Sequence, residues 1–121
     1  LPYVTRWNDR RISIASRYRD ALASGNLKLP ATSDYVRHCY HLFPILVDDR
    51  EEAMTRLEQA GVQALVHYPT PLHLQPALEN LGYGPGEFPN AEWACDHVLS
   101  LPIFPQLSDD EVDRVIEALI T

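Results

Sequence analysis

Ten prolines set the limits on what this chain can build. Each lacks a backbone N–H and fixes its own φ, so it is excluded from helix interiors and from central strands. Pro69, Pro71, Pro76, Pro85, Pro89, Pro102 and Pro105 crowd one stretch, which is thereby confined to short pieces joined by stiff turns. Longer helices have room only at the two ends and in the middle. With 121 residues the chain is one domain's worth, and at this length about two-thirds of the unfolded surface can be buried without metal or disulfide staples.

The spacing of apolar residues predicts the elements. A helix is predicted from Pro2 to Ala23, where Val4, Trp7, Ile14, Ala15, Tyr18 and Leu22 recur at helical intervals before Gly25 ends it. Residues 26–35 read as irregular and lead into an extended run from Val36 to Val47, in which Pro44 belongs at an edge or a bulge. A second helix follows, with Asp48 as cap, Glu51 in the capping-box position and Ala53, Met54, Leu57 and Ala60 along its apolar stripe, closed by Gly61. Val62 to Tyr68 alternates as a strand does. A short helical turn fits Pro76 to Leu81, and Gly82, Gly84, Pro85 and Gly86 form a connector. A third helix fits Pro89 to Leu99, a short extended piece Leu99 to Phe104, and a last helix begins with a Ser108/Glu111 capping box and carries Val112, Val115, Ile116, Leu119 and Ile120 inward. Helices interleaved with two or three short strands imply an α+β fold, a small and mainly antiparallel sheet covered by helices.

Charge narrows the function. The net charge of −7 argues against nucleic acid as a partner, since phosphate binding needs an excess of basic side chains. No apolar run reaches the ~20 residues of a membrane span, so no membrane partner is expected. The first 20 residues nevertheless carry Arg6, Arg10, Arg11, Arg17 and Arg19 against two aspartates. Such a helix can attract phosphate or pair with an acidic neighbour. Cys39 and Cys95, far apart and outside any C-x-x-C pattern, read as small buried hydrophobes in a reducing compartment.

Residue types that carry chemistry are sparse. His38 and His41 would point to opposite faces of a strand, and His67 and His73 lack a third ligand nearby, so no metal site is expected. There is no G-x-S-x-G elbow and no phosphate-cradling glycine loop. The single lysine, Lys28, sits among leucines in a loop with nothing nearby to make it nucleophilic, so no catalytic residue is assigned. What remains is His67-Tyr68-Pro69-Thr70-Pro71-Leu72-His73-Leu74-Gln75-Pro76: two imidazoles, a phenol and an amide on a stretch stiffened by prolines. Such a loop can hold polar groups ready for a ligand, or its histidines can cap neighbouring backbone.

That segment, extended back to Gly61, resembles the G-I-x-x-x-x-H-Y-P-x-P-L-H-x-Q signature of the DegT/StrS aminotransferases, pyridoxal-phosphate enzymes that aminate keto-sugars carried on nucleotides. The resemblance runs nearly end to end. Trp7-Asn8-Asp9-Arg10-Arg11 with Tyr18 is similar to the family's W-N-x-R-R helix, His41-Leu42-Phe43 to the start of its small domain, and Phe88 to Glu92 and Leu99 to Val115 to its closing segments. Ala64 and Leu65 depart from the family in standing where Gly, Thr or Ser are common. The resemblance implies that residues 1–121 are a single C-terminal small domain, with 1–24 the helix leading out of a large domain that carries the Schiff-base lysine. Beginning at Leu1, the chain is expected to be a piece of something longer, inactive alone and unable to hold pyridoxal phosphate. Its parent would be a cytoplasmic homodimer moving an amino group, from glutamate, to a keto-sugar nucleotide. His67, Tyr68 and His73 are the substrate-facing residues that the resemblance suggests. A freestanding binding or regulatory module of the same fold is the alternative.

Overall fold

The computed structural model describes residues 1–120. Helix α1 runs from Val4 to Leu22 and buries Ile14, Ala15, Tyr18 and Leu22, one stripe of a helix whose other faces are polar. Val4 and Trp7 continue the predicted stripe but lie outside the core, 38% and 41% exposed, with the Tyr3 ring stacked on Trp7. A two-stranded antiparallel sheet follows. Strand β1 (Phe43–Leu46) pairs with β2 (Val98–Leu101), Phe43 opposite Leu101 and Leu46 opposite Val98. Between them lie α2 (Arg50–Gln59), two 3-10 turns (Leu72–Leu74 and Pro76–Leu81) and α3 (Pro89–His97); α4 (Asp109–Ile120) closes the fold.

The α+β class with a small antiparallel sheet is as the pattern predicts, but its strands are shorter. The extended run expected from residue 36 pairs only from Phe43, because Tyr40 takes a positive φ of 48° and turns its ring into the core, 5.9 Å from Phe43. The expected strand 62–68 pairs at one residue only, Leu65 with Ser100. Its partner β2 is four residues long and ends before Pro102, which leaves little ladder to join. A second single bridge, Lys28 with Leu46, flanks the other edge. Pro44 is accommodated as its missing N–H demands. Ser100, its partner in register, spends its N–H and C=O on Leu65, so the polar groups of this pair face away from each other and no N–H is required of Pro44 toward β2.

The helix ends follow their punctuation with one shift. Asp49, not Asp48, caps α2, its Oδ1 accepting the Glu52 N–H at 2.9 Å; Val47 is still tied to His97 through backbone, which leaves Asp48 as a spacer. Gly61 closes α2 at φ 72°, with Gly61 N–H on Glu58 O and Val62 N–H on Leu57 O, the paired bonds that satisfy orphan carbonyls. The Ser108/Glu111 capping box forms in both directions. Helix α3 ends at His97, two residues before the expected Leu99, since Val98 and Leu99 are taken into β2.

The core lies between the sheet and helices α1, α2 and α4: Tyr18, Phe43, Ile45, Leu57, Leu99 and Val112 are all fully buried. Charge fastens α1 to α4. Arg10 donates to Leu107 O and Asp109, and Arg17 pairs with Asp109 at 2.9 Å and Asp113 at 2.5 Å. Two of the basic side chains near the N-terminus are thus turned to the acidic first turn of α4, the acidic-neighbour alternative. The hydrogen bond from Arg10, more than its charge, holds the Asp109 carboxyl below its ordinary range. The cysteines depart from expectation: both are free, but Cys39 is exposed and Cys95 only half-buried. No helix among the described residues is long and apolar enough to cross a membrane.

Candidate functional site

The loop singled out by its histidines starts where Leu65 bonds to Ser100, backbone to backbone, at 2.7 and 3.2 Å. Two residues on, His67 is half-buried and its Nδ1 lies 3.0 Å from the Ser100 Oγ. Tyr68 stands edge-on to the His67 ring, centroids 5.6 Å apart, and is 70% exposed. The peptide bond joining the two is cis. The loop then closes on itself, with Gln75 Nε2 donating to Thr70 O and Leu74 N–H to Pro71 O. His67 and Tyr68 thus form one outward-facing pair at the end of the sheet, anchored from behind by a buried serine.

His73 has other surroundings. Its ring is 9% exposed, packs at 4.7 Å on Phe88, and directs Nε2 to Glu92 Oε1 at 3.1 Å. A carboxylate only accepts, so Nε2 carries the proton. Glu92, from the first turn of α3, also takes the N–H of Gly86 on both oxygens at 2.9 Å and that of Phe88 at 3.3 Å. Phe88, the N-cap, makes no side-chain cap hydrogen bond; its own N–H is instead taken by Glu92 from within the helix. These donors lower the Glu92 carboxyl pKa, the Gly86 N–H most of all. Glu92 therefore staples the 82–88 connector, the start of α3 and the 72–74 turn together.

The sequence pattern does not single out Ser100 and Glu92 as site residues. A signal existed for the first: a lone hydroxyl in Val98-Leu99-Ser100-Leu101, where every residue is buried, must find a partner. Among the described residues no three His, Cys, Asp or Glu side chains gather at metal-binding geometry.

The sequence model of the DegT/DnrJ/EryC1/StrS aminotransferase family matches residues 1–120. The chain belongs to that family. It is 42% identical over 120 residues to the erythromycin biosynthesis sensory transduction protein EryC1 of Saccharopolyspora erythraea, covering 98% of this chain and 33% of that protein. It is 37% identical to the dTDP-3-amino-3,4,6-trideoxy-α-D-glucose transaminase of Streptomyces venezuelae, again over 98% of this chain and 32% of the relative. The crystal structure of S. venezuelae DesV in complex with a ketimine intermediate superposes with a TM-score of 0.94 over 98% of this chain and 32% of that one, at 37% identity. A Bacillus subtilis structure, NtdA with bound cofactor PMP, gives 0.84 over 98% and 28%, also at 37%. The chain spans about a third of the length of the curated relatives it matches.

The residues present do not by themselves fit pyridoxal phosphate. A Schiff-base lysine must be desolvated or crowded by a second cation. Lys28 is exposed, with its Nζ 4.6 Å from the centroid of the Trp93 ring, and no second cation is seen beside it among the described residues.

Proposed function

We propose that the polypeptide to which this chain belongs is a pyridoxal-phosphate-dependent aminotransferase that moves an amino group, from glutamate, to a keto-sugar carried on a nucleotide. In this reading residues 1–121 form its C-terminal small domain and 1–24 the helix that leads out of the large domain. The lysine and phosphate-binding groups lie in that other domain, and the working enzyme is a cytoplasmic homodimer. Family membership and the sugar transaminases among the relatives support the reaction class.

The observation that carries the site is the His67–Tyr68 pair, anchored through Ser100 and exposed on its outer side. His67 and Tyr68 hydrogen-bond the sugar-nucleotide and shape its pocket; proton transfer at the reacting carbon belongs to the lysine of the large domain. His73, with its ring nitrogen committed to Glu92, serves the same site by holding the loop.

The test uses the full-length enzyme and a panel of dTDP- and UDP-linked 3-amino sugars of the kind the relatives' names specify, assayed in reverse with 2-oxoglutarate. Turnover of at least one is expected, and none would overturn the aminotransferase reading. His67→Ala is expected to raise the KM for that sugar about tenfold, the equivalent of ~1.4 kcal/mol for a lost hydrogen bond, with cofactor content unchanged. An unchanged sugar KM would remove His67 from the site.

A further inference from the structure

Among the described residues, Ser100 is the one small hydroxyl that is buried. It is 4% exposed, in the middle of β2, and its backbone N–H and C=O are both committed to Leu65. Its side chain therefore contributes nothing to the ladder. Among the described residues the Oγ has a single hydrogen-bond partner, the Nδ1 of His67, at 3.0 Å. Because the same residue pairs through its backbone with Leu65 and through its side chain with His67, two successive same-face positions of the 65–67 segment are tied to one point of the sheet. An imidazole has two nitrogens, and occupying one decides which is left over. Here Nε2 has no hydrogen-bond partner among the described residues, and the Tyr68 ring stands edge-on to the imidazole, centroids 5.6 Å apart.

We propose that Ser100 is a positioning residue for substrate binding: its buried hydroxyl fixes the His67 ring through Nδ1, so that Nε2 is the atom presented to the sugar-nucleotide. The inference rests on the reading of His67 as substrate-facing and goes beyond it in naming the atom and the residue that sets it. The gain is preorganisation. A histidine already held in its binding rotamer loses less freedom when substrate arrives. Ser100 touches no substrate in this scheme and acts only through His67.

The experiment is a double-mutant cycle in the full-length enzyme on the amino-sugar nucleotide that the wild type turns over: Ser100→Ala, His67→Ala and the double variant. Cofactor absorbance and melting temperature are recorded for each to establish that all three are folded. Ser100→Ala is expected to raise the sugar KM about three- to tenfold, the range for immobilising one side chain, with kcat within about twofold. Added to His67→Ala, it is expected to raise KM no further, because its only route to substrate has been removed. A merely structural serine would instead multiply its effect into the His67→Ala background, and that result overturns the proposal. So does an unchanged KM in Ser100→Ala while His67→Ala raises it, an outcome that leaves the reading of His67 standing. An unchanged KM in His67→Ala overturns both.

Discussion

The hydroxyl of Tyr18 offers a stringent test of how α1 is bound to the sheet. Tyr18 is fully buried, its ring lies 5.3 Å from that of Phe43, and its OH donates to Pro102 O at 2.8 Å, just past the end of β2. Tyr18→Phe keeps the ring and its packing and deletes that one bond. A typical internal hydrogen bond contributes about 1 kcal/mol net, and a carbonyl left dry costs about 1–3 kcal/mol. Pro102 is half-buried and can partly rehydrate, which places the expected loss near 1.5 kcal/mol. For 121 residues at about 2.1 cal/mol/K each, the unfolding entropy is ~0.25 kcal/mol/K, so the melting temperature should drop by about 6 °C. Thermal and urea melts of the chain followed by circular dichroism measure it. The phenol supplies a second signature. Burial pushes its pKa far above the ordinary 10.0, against a smaller opposing effect of Arg17. Above pH 10 the unfolded state ionises this group while the folded state keeps it protonated. Folded stability must therefore fall as pH rises, by about 1.4 kcal/mol per unit from this group, a slope that Tyr18→Phe lacks. A variant that melts with the wild type and shows the same alkaline slope would refute the reasoning.

Other perturbations follow from the same contacts. Asp49→Ala removes the acceptor for the Glu52 N–H and should lower stability in urea by about 1 kcal/mol, whereas Asp48→Ala, one residue earlier, should change it little. Glu92→Gln should flatten the acid limb of the stability curve. With its pKa held below the ordinary 4.5, the wild-type carboxylate contributes stability that is fully present above that value and lost as pH falls through the lower folded one. Denaturant melts of both proteins at pH 6 and pH 3 should differ more at the higher pH, and equal gaps would show that Glu92 carries no such share. In the full-length enzyme, the sugar KM of His67→Ala and the cycle with Ser100→Ala test the site itself.

Local rules account for a large part of the fold. Where a signal acts within a turn of helix, as with Ser108 and Glu111, Gly61, or the stripe Ile14, Ala15, Tyr18 and Leu22, the predicted element stands within a residue or two. Where the signal depends on a distant partner, it does not. Val62 to Tyr68 alternates as a strand should, but how much of it pairs is decided by β2, and β2 is short because α3 runs up to its first residue and Pro102 follows its last. The same holds for Val36 to Tyr40, whose apolar and aromatic residues suit a strand but whose backbone turns to bury Tyr40.

The site divides along the same line. Sequence alone determined that His67, Tyr68 and His73 stand on one short stretch stiffened by prolines, and that the chain resembles one family nearly end to end, because both properties are written in neighbouring residues. Only the tertiary structure decided that His67 and His73 have unlike surroundings. One is anchored by Ser100, 33 positions away, and faces outward beside Tyr68; the other is buried against Glu92, 19 positions away. The physical reason is that a side chain's hydrogen-bond partner is chosen by the packing of whole elements, here β2 against the loop and α3 against the connector, and adjacency in the chain carries no record of that choice.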